Sequence, residues 1–395
     1  MKKVVSFVLA CAMSLSLVAC GGSSSSTSTT TSGSTTSTTS TTQTASSTAS
    51  TAASSTTSAA STTDSGATTD VAFVTDVGNI DDQSFNQYTW EGVQNFCSTN
   101  NLKANYYKPS EDSDAARLEQ MDNAVKDGAK AVVMAGYLFG ASLEQAQAKY
   151  PDVSFLALDV STGDLSDPAS NTALITYKEE QAGYLAGYAA VADGYTKLGF
   201  LGGMAVPAVI RYGYGFVQGA DAAAKELGKS DVSIKYWYSG SFVATDDIKT
   251  KMDSWYSDGT EVVFACGGSI CNSCVAAAQA NNGKMIGVDV DQSGLDPCVI
   301  TSAMKALANS VVLALTDCMN NNWKFSDTYA GKETKLGAAE DCVGLPMDTS
   351  QFTTFTKDQY DTLFKGIVDG TITVDDSSDT AKTPEVTAIT VDYES

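Results

Sequence analysis

Short apolar runs alternate with amphipathic stretches from residue 71 onward. The runs have the length of strands and are apolar at nearly every position, as expected for strands buried on both faces of a sheet. They are Val71–Thr75, Ala131–Ala135, Ser154–Leu158, Ala173–Thr176, Leu198–Leu201, Ile234–Tyr238, Val262–Ala265 and Met285–Val288. Between them, helical patterns cover Ser113–Asp127, Glu179–Val191, Tyr214–Leu227 and Thr245–Asp258. This rhythm predicts an α/β fold with parallel sheets and right-handed crossovers.

The residues before this alternation have a different character. Residues 1–20 carry two lysines, an apolar core and small residues, which predicts a secretory signal peptide too short for a stable membrane span. Its end, Leu17-Val18-Ala19-Cys20, is similar to a bacterial lipobox, in which the cysteine receives the lipid; an ordinary signal peptide with a chance cysteine is the alternative. Residues 21–69 are almost only Ser, Thr, Ala and Gly, which predicts a disordered tether.

The remaining part of the chain, roughly 325 residues, is longer than a single hydrophobic core usually accommodates, which predicts two lobes.

Charge and residue usage exclude several classes of function. The chain has 24 basic and 46 acidic residues, a net charge of −22 and no histidine. An acidic surface argues against nucleic-acid binding, which needs lysine and arginine to neutralise phosphates. The lack of histidine removes Ser/His and Cys/His catalysis and the commonest metal ligand. We therefore expect no enzyme and no catalytic residue.

The cysteines allow two interpretations. Seven follow Cys20, namely Cys97, Cys266, Cys271, Cys274, Cys298, Cys318 and Cys342. In an exported chain they can form disulfides or lie in the core, and an odd number leaves at least one unpaired. The cluster Cys266, Cys271, Cys274 and Cys298 could instead hold zinc or an iron–sulfur group, but a zinc ribbon usually has two C-x-x-C pairs and this chain has one. We expect no metal and no cofactor.

Small, acidic and aromatic residues recur directly after the predicted strands, where parallel sheets bind their ligands. These strand exits are Asp76-Val77-Gly78-Asn79, Gly136-Tyr137-Leu138-Phe139, Asp159, Gly202-Gly203-Met204, Ser239-Gly240-Ser241-Phe242, Cys266-Gly267-Gly268-Ser269 and Asp289-Val290-Asp291-Gln292. Because they are spread along the chain, they predict a ligand-binding crevice rather than a catalytic cluster.

Five motifs, in this order and spacing, resemble one known family over residues 71–345. They are VTDVGNIDDQSFNQYTWEG, YKEEQAGYLAGYAA, KLGFLGGMAVPAVIRYGYGFVQGA, GVDVDQ and ITSAMKA. The sequence is similar to the basic membrane protein family, also called the purine nucleoside receptor A family. The resemblance implies a type I periplasmic-binding-protein fold, in which two Rossmann-like lobes with parallel sheets are joined by a multi-strand hinge. We then expect lobe one to contain residues 71–176 and 301–325, and lobe two to contain residues 177–300 and 326–395. The resemblance further implies that the ligand is a purine nucleoside and that the partner is the permease of an ABC importer. It also implies a monomer, lipid-anchored by an acyl group such as palmitate at Cys20 to the extracytoplasmic face of a bacterial cell membrane.

The resemblance also implies a set of ligand-binding residues. Matching the family motifs position by position gives Asp76, Phe85, Asn86, Phe242, Gly267, Gly268, Asp291 and Lys305. Two phenylalanines can sandwich a flat purine, and base–aromatic stacking is worth roughly 1–3 kcal/mol per base. A carboxylate accepts hydrogen bonds from base N–H or ribose hydroxyl groups, and a lysine donates. The cysteine-rich stretch CGGSICNSC and residues 350–395 depart from the family pattern.

Several residues have plainer explanations, and other functions stay open. Asp81 and Asp82 fit the N-terminus of a helix, where the macrodipole favours acidic residues. Lys305 fits a solvated helix and Phe242 fits a core. A sugar or furanosyl signal on the same fold is an alternative ligand, although Arg117 and Arg211 are the only arginines. A nucleoside hydrolase that uses an acidic cluster with a metal, and a surface adhesin, are the remaining alternatives.

Overall fold

The computed structural model describes residues 68–395. The predicted signal peptide, Cys20 and nearly all of the predicted tether lie outside these residues. The strands are Val71–Val74 (β1), Ala104–Tyr107 (β2), Ala131–Ala135 (β3), Ser154–Leu158 (β4), Thr172–Tyr177 (β5), Lys197–Gly202 (β6), Ser233–Tyr238 (β7), Val262–Cys266 (β8), Lys284–Asp289 (β9), Val299–Lys305 (β10), Lys332–Leu336 (β11), Val343–Gly344 (β12) and Thr390–Tyr393 (β13).

Helices connect most of these strands. The α-helices are Phe85–Thr99 (α1), Asp114–Lys126 (α2), Gly140–Lys149 (α3), Glu179–Ala192 (α4), Pro207–Leu227 (α5), Asp246–Ser257 (α6), Ile270–Asn281 (α7), Leu307–Asn320 (α8) and Lys357–Val368 (α9). Two short 3₁₀ turns cover Tyr137–Phe139 and Ala338–Glu340. Helix α5 begins at Pro207, seven residues before the predicted start, because proline suits the first helical position, where its missing N–H is not needed.

The strands form two sheets, one in each lobe. The first sheet has the order β2-β1-β3-β4-β5-β11 and the second has the order β7-β6-β8-β9-β10, with β13 beside β7 and β12 beside β10. All neighbouring strands are parallel except β10 and β12. The predicted fold class, an α/β protein with two parallel-sheet lobes, is confirmed.

Both sheets share the doubly wound order 2-1-3-4-5, in which the chain leaves its first strand in one direction and later crosses to the other side. The switch point lies between β1 and β3 in lobe one and between β6 and β8 in lobe two. Ligands bind at such switch points, beyond the carboxyl ends of the strands. Each lobe therefore has a crevice at its switch point, and the two crevices face one another.

The chain crosses between the lobes three times, and two of these crossings differ from the predicted lobe boundaries. Residues 301–305 belong to β10 in the second sheet, so the crossing to lobe one follows Lys305 and leads into α8, which packs on α1. Residues 332–336 form β11 in the first sheet, although we expected them in lobe two. Its sequence, KETKL, is that of a polar edge strand and carries no apolar run.

Helices α4 and α5 lie in unusually close contact on lobe two. Gly183 and Gly187 of α4 face the backbone of α5, and Gly215 and Gly219 of α5 face the backbone of α4. A Cβ atom at any of these glycines would overlap a backbone carbonyl oxygen of the partner helix. The two G-x-x-x-G spacings in the sequence are therefore explained by helix packing.

Candidate functional site

A cavity that is partly open to solvent lies between the facing switch points of the two lobes. Its lining residues come from strand exits in both lobes and from the starts of α1 and α5. They are Asp76, Gly78, Asp82, Phe85, Asn86, Gly136, Tyr137, Leu138, Asp159, Val206, Ala208, Val209, Tyr212, Phe242, Cys266, Gly267, Gly268, Val288, Asp289 and Lys305.

A rigid polar group in lobe one forms one end of the cavity. Asp76 follows β1, and its Oδ1 accepts hydrogen bonds from the Gly78 amide at 2.6 Å and from the Asn86 Nδ2 at 2.8 Å. The Asp76 amide donates back to the Asn86 Oδ1 at 3.3 Å. Burial raises the pKa of Asp76 to about 6, although these hydrogen bonds oppose the rise. The group offers a carboxylate acceptor whose protonation changes near neutral pH.

Asp82 holds this polar group in place from the start of α1. Its carboxylate accepts from the backbone amides of Ser84, Asn86 and Gln87 at 2.9–3.0 Å. It also accepts from the Asn86 Nδ2 at 3.0 Å. These contacts agree with the prediction that Asp82 lies at the N-terminus of a helix, where its carboxylate accepts hydrogen bonds from amides that the helix leaves free.

Two phenylalanines line the cavity from opposite lobes. Phe85 is the first residue of α1 in lobe one, and Phe242 lies in the turn after β7 in lobe two. The Phe242 ring rests on the backbone of Gly203 and Gly267, where a side chain would not fit. An aromatic ring therefore lines the cavity from each lobe.

The other end of the cavity is a buried ionic cluster around Lys305. The Lys305 Nζ lies 2.6 Å from the Asp159 Oδ2, 3.5 Å from the Glu179 Oε1 and 3.6 Å from the Asp289 Oδ1. It also lies 4.6 Å from the centre of the Phe85 ring. Only 2 % of the Lys305 side chain is exposed. The cluster joins lobe one, through Asp159, to lobe two, through Asp289.

This ionic cluster contains more acidic than basic groups. Burial would lower the pKa of Lys305, but three carboxylates outweigh burial and raise it, so the lysine stays charged. Burial raises the pKa of Asp159 to about 7, because one lysine cannot offset all its acidic neighbours. Arg211 shares the charge of Glu179 through a hydrogen bond of 2.6 Å. The cluster has more acceptor capacity than its donors use, since the Asp159 Oδ1 and Glu179 Oε1 have no hydrogen-bond partner in the described part of the chain.

Two further hydrogen bonds join the lobes beside the cavity. The Ser84 Oγ of lobe one donates to the Asp289 Oδ2 of lobe two at 2.5 Å. The Gln292 Nε2 of lobe two donates to the Gln83 carbonyl oxygen of lobe one at 2.9 Å. Ser84 and Gln292 are both buried. The structure therefore describes the lobes closed on one another.

Most of the ligand-binding residues predicted from sequence line this cavity. They are Asp76, Phe85, Asn86, Phe242, Gly267, Gly268 and Lys305. Asp291 does not: its carboxylate accepts from the Thr349 hydroxyl at 2.6 Å and from the Ser293 amide at 3.0 Å, outside the cavity. Asp289 lines the cavity instead, because β9 ends at this residue and its left-handed backbone, with φ of 66°, turns the chain. Whether these residues bind a ligand remains a prediction.

Four residues that the fold brings to the Lys305 end were not among the predicted ligand-binding residues, although two of them, Asp159 and Asp289, were among the strand exits predicted to form the crevice. Asp159 directly follows β4 and Asp289 ends β9. Each has a left-handed backbone, with φ of 57° and 66°, which is a detectable signal once the strand ends are known. Glu179 and Tyr212 lie at helix positions, where the sequence pattern gave no reason to select them.

The cysteines after Cys20 are free and buried, so the core-thiol interpretation describes the structure. Burial raises the pKa of Cys271 and of Cys274 to about 12, which keeps both thiols protonated. Within residues 68–395, no group of three or more acidic or cysteine side chains is arranged to hold a metal ion. No helix among the same residues is long and apolar enough to cross a membrane.

Comparison with known proteins gives one consistent family. The model of a family described as ABC transporter substrate-binding protein, PnrA-like (Bmp), matches residues 69–378. The "ABC transporter nucleoside-binding protein BmpA" of Lactococcus lactis is 29 % identical over 318 residues, which are 75 % of this chain and 86 % of that protein. "Basic membrane protein B" of Borreliella burgdorferi is 28 % identical over 277 residues, 68 % of this chain and 78 % of that protein.

Solved structures agree on the fold. An ABC transporter solute-binding protein from Aeropyrum pernix has a TM-score of 0.67 and 21 % identity, covering 79 % of this chain and 95 % of that one. A second, from Conexibacter woesei, has a TM-score of 0.61 and 20 % identity, covering 78 % and 99 %. The family resemblance seen in the sequence motifs is confirmed by the family match.

Proposed function

The chain belongs to the family of PnrA-like ABC transporter substrate-binding proteins, and we propose that it captures a purine nucleoside outside the cytoplasm and delivers it to an ABC importer. Members of this family are binding proteins without enzymatic activity, so the ligand leaves the site unchanged. The nucleoside and the delivery step are the parts that we propose.

The arrangement of the cavity carries the proposal. Phe85 and Phe242 line it from opposite lobes, which suits a planar base between them. Asp76, whose carboxylate Asn86 holds in place, supplies an acceptor for the polar rim of a purine. Lys305 and its carboxylates supply a donor and several acceptors, as ribose hydroxyls require. A nucleoside combines a planar base, a polar rim and hydroxyl groups.

The charge of the cavity favours a nucleoside over a nucleotide. Its lining includes the carboxylates of Asp76, Asp82, Asp159 and Asp289 but one basic residue, Lys305. A phosphate group would add negative charge to an enclosed site that already has an excess of it, and a buried uncompensated charge is strongly unfavourable. A neutral hydroxylated ligand avoids this repulsion.

Closure connects binding to delivery. A ligand that touches both lobes binds tightly only when they are closed, so binding and closure form one equilibrium. The closed form presents a surface that the importer's permease can distinguish from the open form. We further propose that acylation of Cys20 holds the protein, as a monomer, at the extracytoplasmic face of the membrane, with residues 21–69 as its tether.

Mass spectrometry of the small molecules released on denaturing purified protein tests the proposal. We expect a purine nucleoside at up to one molecule per chain. A sugar or a free base in its place would contradict the nucleoside assignment while leaving the family assignment intact.

A further inference from the structure

Tyr212 carries a hydroxyl group that the described protein leaves without a hydrogen bond. The residue lies on α5 of lobe two, lines the cavity and is 1 % exposed. Its Oη has no hydrogen-bond partner among residues 68–395. Buried tyrosine hydroxyls usually have a partner, because an unmade hydrogen bond in a dry site is unfavourable. The hydroxyl therefore calls for an explanation.

The ring of Tyr212 is held firmly, so its hydroxyl cannot turn away to find a partner. The ring packs edge-on against Phe264, with centroids 5.8 Å apart and planes at 85°. The Lys305 Nζ lies 5.6 Å from the ring centre. The backbone of Tyr212 is fixed by the close contact of α5 with Gly183 of α4.

The Tyr212 hydroxyl stays a proton donor. Burial raises its pKa well above the usual range, and the charges of Asp289, Glu179 and Asp159 add to the rise. Two acceptors of the same cluster, the Asp159 Oδ1 and the Glu179 Oε1, also lack hydrogen-bond partners within the described residues. Tyr212 and Asp159, which both line the cavity, thus carry an unpaired donor and an unpaired acceptor.

We propose that Tyr212 is a ligand-contacting residue that selects a hydroxyl group of the ligand. A hydroxyl can accept from the Tyr212 Oη and donate to a neighbouring carboxylate at the same time. An ammonium or amide N–H group donates but would leave the Tyr212 donor unmet, and a carbonyl accepts but would leave the carboxylates unmet. The inference rests on the proposed function for the identity of the ligand, and it adds that Tyr212 favours ribonucleosides over the analogue that lacks the contacted hydroxyl.

A double-mutant cycle by calorimetry tests this inference. The protein is titrated with inosine and with its 2′-deoxy, 3′-deoxy and 5′-deoxy analogues, as wild type and as Tyr212→Phe. We expect Tyr212→Phe to weaken inosine binding by roughly 3- to 15-fold, the range for one hydrogen bond. We expect a change of about twofold or less for the one analogue that lacks the hydroxyl contacted by Tyr212.

Tyr214→Phe is the matched control, since it removes a hydroxyl from the same helix at a buried residue outside the cavity lining. It should leave all four affinities unchanged. An equal loss for every ligand with Tyr212→Phe, as expected if the hydroxyl binds only a structural water, would overturn the inference, and so would no loss at all. If wild type binds none of these four compounds and neither adenosine nor guanosine, the proposed function fails and this inference fails with it; if wild type binds a nucleoside and the cycle with its deoxy analogues shows no selectivity, only the role of Tyr212 fails.

Discussion

Phe242 owes its position to the absence of side chains beneath it. A Cβ atom on Gly203 would lie 2.5 Å from the Phe242 Cδ1, closer than two carbons can approach. Gly203→Ala should therefore displace the ring without unfolding lobe two. We expect nucleoside affinity to fall by about 1–3 kcal/mol, the scale of base stacking.

Calorimetry and thermal melting measure the two parts of this prediction. Gly294→Ala is the control, because a Cβ at Gly294 meets no atom within 4 Å. Unchanged binding by Gly203→Ala would mean that Phe242 does not stack on the ligand.

The proposed nucleoside binding should depend on pH through Asp76. Burial raises the pKa of its carboxyl from 3.8 to about 6 in the folded protein. The folded state thus keeps this proton over a range in which the unfolded chain has lost it. The stabilising contribution of Asp76 is complete below pH 3.8 and is lost as the pH rises through 6. Ligand binding has the opposite sign, because only the ionised carboxylate accepts from a base N–H.

We therefore expect the affinity for the nucleoside to fall by about tenfold between pH 7 and pH 5, because a carboxyl group is mostly protonated when the pH lies one unit below its pKa. Titration calorimetry across this range is the measurement. The variant Asp76→Asn should bind more weakly and should lose the part of the pH dependence that is centred near 6. A wild-type affinity that stays flat from pH 5 to pH 7 would show that Asp76 does not accept from the ligand.

At the scale of elements, the contact of α4 with α5 predicts a strong effect on stability. A methyl group at Gly187 would overlap the Phe216 carbonyl oxygen, and a helix backbone cannot move aside as a side chain can. We expect Gly187→Ala to lower the free energy of unfolding by about 1–3 kcal/mol or more, the cost of overpacking. Gly294→Ala again serves as the control and should change stability by less than about 0.5 kcal/mol. Denaturant unfolding of both variants checks this, and equal stabilities would contradict the packing described.

The segment between β1 and α1 also forms a contact between the lobes. Ser84 precedes α1 and joins lobe one to Asp289 of lobe two, and a hydrogen bond to a charged group is worth about 1.5–3 kcal/mol. Ser84→Ala should shift the ligand-free protein toward the open form and weaken nucleoside binding by about tenfold. Small-angle scattering without ligand should show a larger radius of gyration.

Ser98→Ala is the matched control, because Ser98 lies at the exposed end of the same helix and donates to the Asn95 carbonyl within it. If Ser84→Ala matches wild type in both size and affinity, the Ser84–Asp289 contact has no part in closure.

The elements also show what sequence alone could predict. Strands buried on both faces leave apolar runs, so β3, β4 and β8 were predicted almost residue for residue. The strand β11 was not, because Lys332–Leu336 is a half-exposed edge strand whose partners are set by the fold rather than by hydrophobicity.

The same limit applies to the candidate site. Family motifs placed Asp76, Phe85 and Lys305 because each motif has a fixed spacing from a strand end. The motif VDVDQ contains two aspartates, and choosing Asp289 over Asp291 required the residue at which β9 ends. The sequence offered no reason to select Tyr212 as a site residue, because its hydroxyl is left unpaired only once α5 has packed against the second sheet.

At the scale of the whole molecule, the two lobes form one binding device. Each sheet supplies a switch point, and the chain crosses between the lobes three times. The ionic cluster of Lys305 joins Asp159 of lobe one to Asp289 of lobe two, so it needs both lobes together. In the proposed function, the same contacts would set both ligand recognition and the shape presented to an importer.

Isothermal titration calorimetry with purine nucleosides tests this account most directly. The protein is first unfolded and refolded to remove any ligand carried through purification, and its fold is verified by thermal melting. It is then titrated with adenosine, guanosine and inosine, and with ribose and hypoxanthine as the separate halves of a nucleoside. The account predicts saturable binding of at least one nucleoside near one molecule per chain, much tighter than either half, and weakened by about 1–3 kcal/mol in Phe85→Ala. Folded, ligand-free protein that binds none of the three nucleosides, or that binds ribose as tightly as inosine, would contradict it.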